Sequence, residues 1–273
     1  MLPTLNRDTQ LCMSIAARPS NIGTRFHNYL YRELGLNYVY KAFTTTDIEG
    51  AIRGVRALGI RGTAISMPFK EAVIPLVDEM MASAAAIASV NTIVNDAGYL
   101  RAYNTDYQAA RLLIDSHGVP RDFDYALLGS GGMAKAVGAA LRDAGFARGT
   151  IIARNETTGR VLAETLGAAW RPELGDHRPA LLINVTPIGM AGGKEADDLA
   201  FAREAVEAAS AVFDVVAMPV ETPLVRLARS LGKAVIDGGE VLTLQAVEQF
   251  VLYTGVRPEP DLVRQAQAFA RAV

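Results

Sequence analysis

Cysteine is nearly missing from this chain. The single Cys12 excludes an intramolecular disulfide framework and any multi-cysteine zinc site, and it fits a reducing compartment. Histidine is scarce too: His27, His117 and His177 show no metal-ligand spacing, so no metal is expected. No apolar run approaches the roughly 20 residues that a membrane-spanning helix needs. The first ten residues, MLPTLNRDTQ, lack the apolar core of a signal peptide. Net charge is −2 with both signs dispersed, so no basic block suggests nucleic acid and no charged stripe suggests a membrane surface. These absences point to a cytoplasmic protein whose partners are small molecules.

What is present is alternation. The 273 residues are half hydrophobic and 21% charged, enough for two globular domains. Apolar runs at 11–17, 38–44 and 62–67 read as strands, and segments 24–34 and 47–58 carry helical spacing, the second opened by Asp47 as N-cap. Residues 91–104 read as a hairpin around Asp96-Ala97-Gly98. Residues 78–90 are expected to form a structural helix. A helix over 105–118, ended by Gly118 and Pro120, marks a boundary. A second series follows: strands at 125–129, 150–154, 180–185, 211–216 and 234–238, with helices between, one of them 223–232. The last 35 residues hold two helices and no strand. Strand–helix alternation predicts parallel sheets of the α/β class.

Two segments carry chemistry. ISMPFKEAV (65–73) delivers Lys70 at the expected start of a helix, where the positive end of the helix dipole disfavours a cation. Such a lysine is either a surface accident or a group placed for proton transfer. YALLGSGGMAKAVGAAL (125–141) places Gly129, Gly131 and Ala134 as G-x-G-x-x-A between a buried strand and an Ala-rich helix, the context of the dinucleotide fingerprint. Gly129 makes the tight turn, Gly131 admits the pyrophosphate and Ala134 permits close helix–strand packing. The helix start contributes N–H donors from the Ser130–Ala134 stretch, including Gly132 and Met133. The competing reading is a glycine-rich turn without a ligand. The next strand ends in Arg154-Asn155, where an NAD site usually has an acid. A guanidinium brackets a 2′-phosphate, which points to NADP. Glu156 would repel a phosphate if it turned inward, so NAD stays open.

SMPFKE (66–71), SVNT (89–92), YNTDY (103–107), GSGGMA (129–134), NVTPIGM (184–190), ETP (221–223) and LQAVEQF (244–250), in this order, resemble the shikimate dehydrogenase family, most closely its shikimate dehydrogenase-like branch. The resemblance covers essentially the whole length. It implies a substrate domain of residues 1–108 plus 239–273, with the C-terminal helices returning to it, and a Rossmann NADP-binding domain of 109–238, with the active site in the cleft between them. It also implies an enzyme: an NADP-dependent dehydrogenase acting on a CH–OH group of shikimate, or of a related cyclic hydroxy acid, in aromatic amino acid and chorismate biosynthesis. Lys70 falls on the family's catalytic lysine and Asp106 on its catalytic aspartate. Ser20, Ser66, Asn91 and Gln245 fall on substrate-binding positions, and Thr186 and Gly238 join the glycine loop, Arg154 and Asn155 on the cofactor. The form is expected to be a monomer or homodimer.

The pattern departs from the family where shikimate's carboxylate would be held. The N-terminal serine pair is reduced to Ser20, the N-V-T ahead of the proline motif becomes Ala64-Ile65-Ser66, and a tyrosine becomes Ala217. Tyr107 and Glu240 stand where glycines are usual. Three lost hydrogen bonds come to about 3 kcal/mol, around two orders of magnitude in affinity. Hydride chemistry is therefore expected with weakened shikimate binding. The alternatives are an NAD-dependent quinate/shikimate-type dehydrogenase, and a dinucleotide-binding regulatory protein with little turnover. His27 reads as a packing residue, and Met190 and Met218 as neighbours of the nicotinamide or as core filler.

Overall fold

The computed structural model describes residues 5–17 and 20–272. They divide into two compact units. One comprises the described residues up to Thr105 together with those from Thr243 onward; the other is Asp106–Leu242.

The first unit contains β1 (Gln10–Ala16), α1 (Ile22–Glu33), β2 (Tyr38–Thr44), α2 (Ile48–Ala57), β3 (Gly62–Ile65), β4 (Glu79–Met80), α3 (Ala82–Ala85), β5 (Thr92–Asp96) and β6 (Tyr99–Tyr103). Its sheet runs β2-β1-β3-β5-β6-β4, parallel at the β2-β1-β3 end and antiparallel through the β5–β6 hairpin. The hairpin turns at Ala97 (φ +53°) and Gly98 (φ +93°), the paired left-handed residues that match strand twist. Side chains alternate across β1: Cys12 faces a core with Phe26, Leu30, Tyr40 and Phe250, whereas Met13 and Ile15 face a second core with Ile52, Val55 and Ile93. Asp47 caps α2, accepting a hydrogen bond from the Gly50 N–H at 2.7 Å. His27 is buried and stacked on Tyr40 at 4.5 Å between ring centres, a packing role.

The second unit contains most of α4 (Thr105–Ser116), then β7 (Tyr125–Leu128), α5 (Gly132–Asp143), β8 (Gly149–Ile152), α6 (Glu156–Leu166), β9 (Ala169–Arg171), β10 (Leu181–Asn184), α7 (Arg203–Ala208), β11 (Ala211–Asp214), α8 (Pro223–Ser230) and β12 (Ala234–Ile236). All strand pairs are parallel, in the order β9-β8-β7-β10-β11-β12, which is the 3-2-1-4-5-6 order of a Rossmann sheet. α9 (Gly238–Thr254) leads back to the first unit, where Val247, Phe250 and Tyr253 of α9 and Val263, Ala266 and Ala270 of α10 (Pro260–Arg271) cover one face of the sheet.

Two expectations fail. No helix begins at Lys70: residues 67–73 form successive turns, followed by one 3-10 turn over Ile74–Leu76. Pro75 has no N–H to return to the Glu71 carbonyl, so an α-helical ladder has no continuation there. The helix-dipole reasoning about Lys70 loses its helix. Residues 78–90 are not one helix either. They give the two-residue β4, which pairs with β6, then the four-residue α3, which ends before Ala88 at φ +47°. Strand pairing outweighs the helical propensity of the alanines.

Candidate functional site

In the first unit the backbone at Lys70 and the end of β3 ahead of Ser66 are both hydrogen-bonded to one short segment, Val90-Asn91. The Val90 N–H donates to the Lys70 carbonyl at 2.8 Å, so this segment holds the backbone of the lysine turn. The Ile65 N–H donates to the Asn91 carbonyl at 2.8 Å, which fixes the end of β3 directly before Ser66. The buried Asn91 side chain is used asymmetrically. Its Oδ1 accepts from the Thr105 N–H at 2.8 Å, from the Thr92 hydroxyl at 2.9 Å and from the Thr105 hydroxyl at 3.2 Å. A backbone N–H facing this atom requires oxygen there, so the amide cannot be flipped. Its Nδ2 is buried and has no hydrogen-bond partner among the described residues. Thr105 opens α4, and the buried Asp106 follows in the first turn. Lys70 is half-buried, and Ser66 and Ser20 are exposed. Gln245 is half-buried on α9. One turn later the buried Gln249 donates to the Thr92 hydroxyl at 3.1 Å, anchoring that helix to the Asn91 segment. Sequence reasoning missed Gln249. Its spacing of four from Gln245 puts both on one helix face and was the available signal.

In the second unit a cleft of about 620 Å³ opens at the carboxyl ends of β7, β8 and β10, the place where strand order reverses. Gly129 (φ +128°) lies in it. A Cβ on this residue would come within 2.9 Å of the Val185 side chain and 3.2 Å of Thr186, so glycine is demanded twice. Gly131 and Gly132, at the start of α5, face open space where a Cβ would stand. That is the room a backbone needs to approach a phosphate, and these residues fit a dinucleotide. Ala134 is fully buried, and Met133 is half-buried. Ser130 Oγ shares a hydrogen bond with Thr158 Oγ1 at 2.7 Å, and Asn155 caps α6 by accepting from the Thr158 N–H at 3.1 Å. Arg154 is largely exposed at the cleft, with the Glu195 carboxylate 3.5 Å from its Nη1. Glu156 is held instead by Arg160 at 2.7 Å.

The NVTPIGM loop is anchored from below. Asn184 Oδ1 accepts from the Thr186 hydroxyl at 2.6 Å and from its N–H at 3.0 Å. Asn184 Nδ2 donates to the buried Asp214 at 3.0 Å, and Asp214 also accepts from the Thr222 hydroxyl at 2.7 Å and the Val216 N–H at 3.1 Å. Burial pushes the Asp214 carboxyl above its usual range, against the pull of these three donors. Gly238 has a packing reason of its own, because a Cβ there would strike the Val216 carbonyl at 2.2 Å. Met190 and Met218 are exposed and fill no core. Two departures from the family pattern have structural uses. The Tyr107 hydroxyl donates to Asp143 at 2.8 Å, and Glu240 forms a capping box with Asp237 while also pairing with His117 at 2.9 Å. Among the described residues, no group of three His, Cys, Asp or Glu side chains could hold a metal ion, and no helix is long and apolar enough to cross a membrane.

Residues 21–93 match the model of the shikimate dehydrogenase substrate binding domain. A shikimate dehydrogenase-like protein of Haemophilus influenzae is 58% identical over 267 residues, covering 98% of each chain. A solved structure of a shikimate 5-dehydrogenase-like protein, also 58% identical, superposes with a TM-score of 0.97 over 98% of this chain and all of that one. Shikimate 5-dehydrogenase from Thermus thermophilus, solved in complex with NADP(H) and shikimate, is 27% identical with a TM-score of 0.84, covering 96% of this chain and 99% of that chain. With a Rossmann unit, a substrate-domain match and full-length identity of this order, the chain belongs to the shikimate dehydrogenase family.

Proposed function

We propose that this protein is an NADP-dependent dehydrogenase that interconverts a secondary alcohol and a ketone on shikimate or a related cyclic hydroxy acid. The first unit would bind the substrate and the second the dinucleotide. The observation that carries this reading is the buried, unpartnered Nδ2 of Asn91. Leaving a buried donor unpaired costs about 1–3 kcal/mol. A polyol hydroxyl accepting from it removes that cost, and the same backbone segment holds the Lys70 turn.

Bound NADP supplies the hydride acceptor at its nicotinamide. Alcohol oxidation also releases a proton, and Lys70 takes it from the hydroxyl; in the reverse direction Lys70 returns it. Asp106 orients the Lys70 amine beside the same hydroxyl. Asn91 Nδ2 donates to a neighbouring hydroxyl, with Ser66, Gln245 and Ser20 as further contacts. The α5 N-terminus with Ser130–Ala134 holds the pyrophosphate, Arg154 and Asn155 face the ribose 2′-substituent, and Thr186 and Gly238 border the nicotinamide.

The test is absorbance at 340 nm with purified protein, NADP or NAD, and shikimate, quinate and amino-substituted analogues as substrates. Turnover of shikimate with NADP is expected, with a raised KM because the carboxylate-holding groups are thinned. Dinucleotide binding without turnover of any alcohol would replace the enzyme by a dinucleotide-binding regulator.

A further inference from the structure

We propose that Glu195 is a specificity residue that lowers the preference of the cleft for NADP over NAD. The inference rests on the reading of the cleft as the dinucleotide site. Arg154 is the cation that would meet a 2′-phosphate, and the structure gives it a carboxylate partner of its own, Glu195 Oε1, at 3.5 Å from Nη1. Both side chains line the same cleft.

Glu195 is not a drifting surface acid. Its carbonyl accepts from the Gly189 N–H at 2.8 Å and the Asp198 N–H at 3.3 Å, so its backbone is tied to the NVTPIGM loop. Gly189 is itself lodged against Thr222, where a Cβ would come within 3.1 Å. The other groups around Arg154 do not offset the charge. Glu173 lines the cleft as a second acid, the Asn155 oxygen is engaged in capping α6, and Ser130 and Thr158 hydrogen-bond each other.

A 2′-phosphate arriving at Arg154 must therefore displace one carboxylate and sit beside it, like charge against like charge. A 2′-hydroxyl meets no such opposition, and it can donate to Glu195 while Arg154 stays paired. The carboxylate penalises NADP and tolerates NAD, which makes the site less selective than the lone guanidinium at the strand end suggests.

The experiment measures Kd for NADP and NAD by fluorescence titration or calorimetry, in the unchanged chain, Glu195→Gln, Arg154→Ala and the double variant. Glu195→Gln should tighten NADP by roughly threefold to fivefold, as expected for removing an exposed ion-pair competitor, and leave NAD within about twofold. The gain should shrink in high salt and also in the Arg154→Ala background, where the competition for the guanidinium is gone and only the direct repulsion remains. An NADP:NAD ratio unchanged by Glu195→Gln, with both dinucleotides still binding, overturns this inference alone. If the unchanged chain binds neither dinucleotide, the reading of the cleft falls and the inference falls with it.

Discussion

Asn91 shows how one side chain organises a site. Its oxygen is spent on Thr105 and Thr92, and its nitrogen is buried with no partner among the described residues. Lys70 owes its place to the same segment through the Val90 N–H. If Lys70 moves the proton, Lys70→Ala should lower kcat about 10²–10⁴-fold with little change in KM, because the group is needed chiefly in the transition state. Steady-state rates at saturating NADP measure this directly, and near-unchanged kcat would remove the lysine from the mechanism. The residue types at positions 70, 91 and 106 were legible because each sits in a short, ordered motif. The helix-dipole reason for Lys70 does not hold: Pro75 replaces the expected helix by turns, and the Lys70 backbone is held instead by a hydrogen bond from Val90, twenty residues away.

At the scale of elements, the βα turns are where sequence and structure agree most closely. Gly129 must be glycine for both its φ and its contact with Val185, and Asp47, Asn155 and Thr222 are all N-caps with side-chain acceptors. Local chemistry of this kind is written locally. Asp214 is different. It closes β11 as a buried carboxylate that ties the Asn184–Thr186 loop to the start of α8. Asp214→Ala would leave the Thr222 hydroxyl, the Val216 N–H and the Asn184 amide without an acceptor, a loss of about 2–4 kcal/mol. Asp214→Asn keeps one acceptor oxygen and should cost less. Urea midpoints of the two variants and the unchanged chain provide the measurement, and an Asp214→Ala midpoint equal to that of the unchanged chain would mean that the carboxylate does not hold the loop. The three-residue β9 and six-residue α7 were not anticipated, because elements this short carry too few periodic positions to rise above the surrounding chain.

At the scale of the molecule, stability should depend on pH through His27, which is fully enclosed by the aromatic core of the first unit. Burial lowers its pKa to about 3 from an ordinary 6.5. In the unfolded chain it binds a proton below 6.5, but in the fold it does so only near 3. The folded protein therefore holds its full stability above pH 6.5 and loses it progressively as pH falls through that window. At pH 5 the loss is about 2 kcal/mol, from 1.36 kcal/mol per pH unit below 6.5. Urea melts at pH 7.5 and pH 5 should show it, and His27→Gln should flatten this part of the slope. A slope unchanged in that variant would assign the acid sensitivity elsewhere.

The division of labour follows from range. Hydrophobic period, caps and glycine turns act over a few residues, so the sequence by itself determined the α/β class, five of the six strands of the Rossmann series and the glycine turn after β7. Only the tertiary structure decided which polar groups are left over once the backbone is satisfied. Whether Asn91 keeps a spare donor, whether Arg154 meets a carboxylate 41 positions away and whether Gln249 reaches Thr92 depend on strand order and register. Those partners are distant in the chain, and a hydrogen bond or ion pair is made only when the fold brings both atoms within about 3–4 Å.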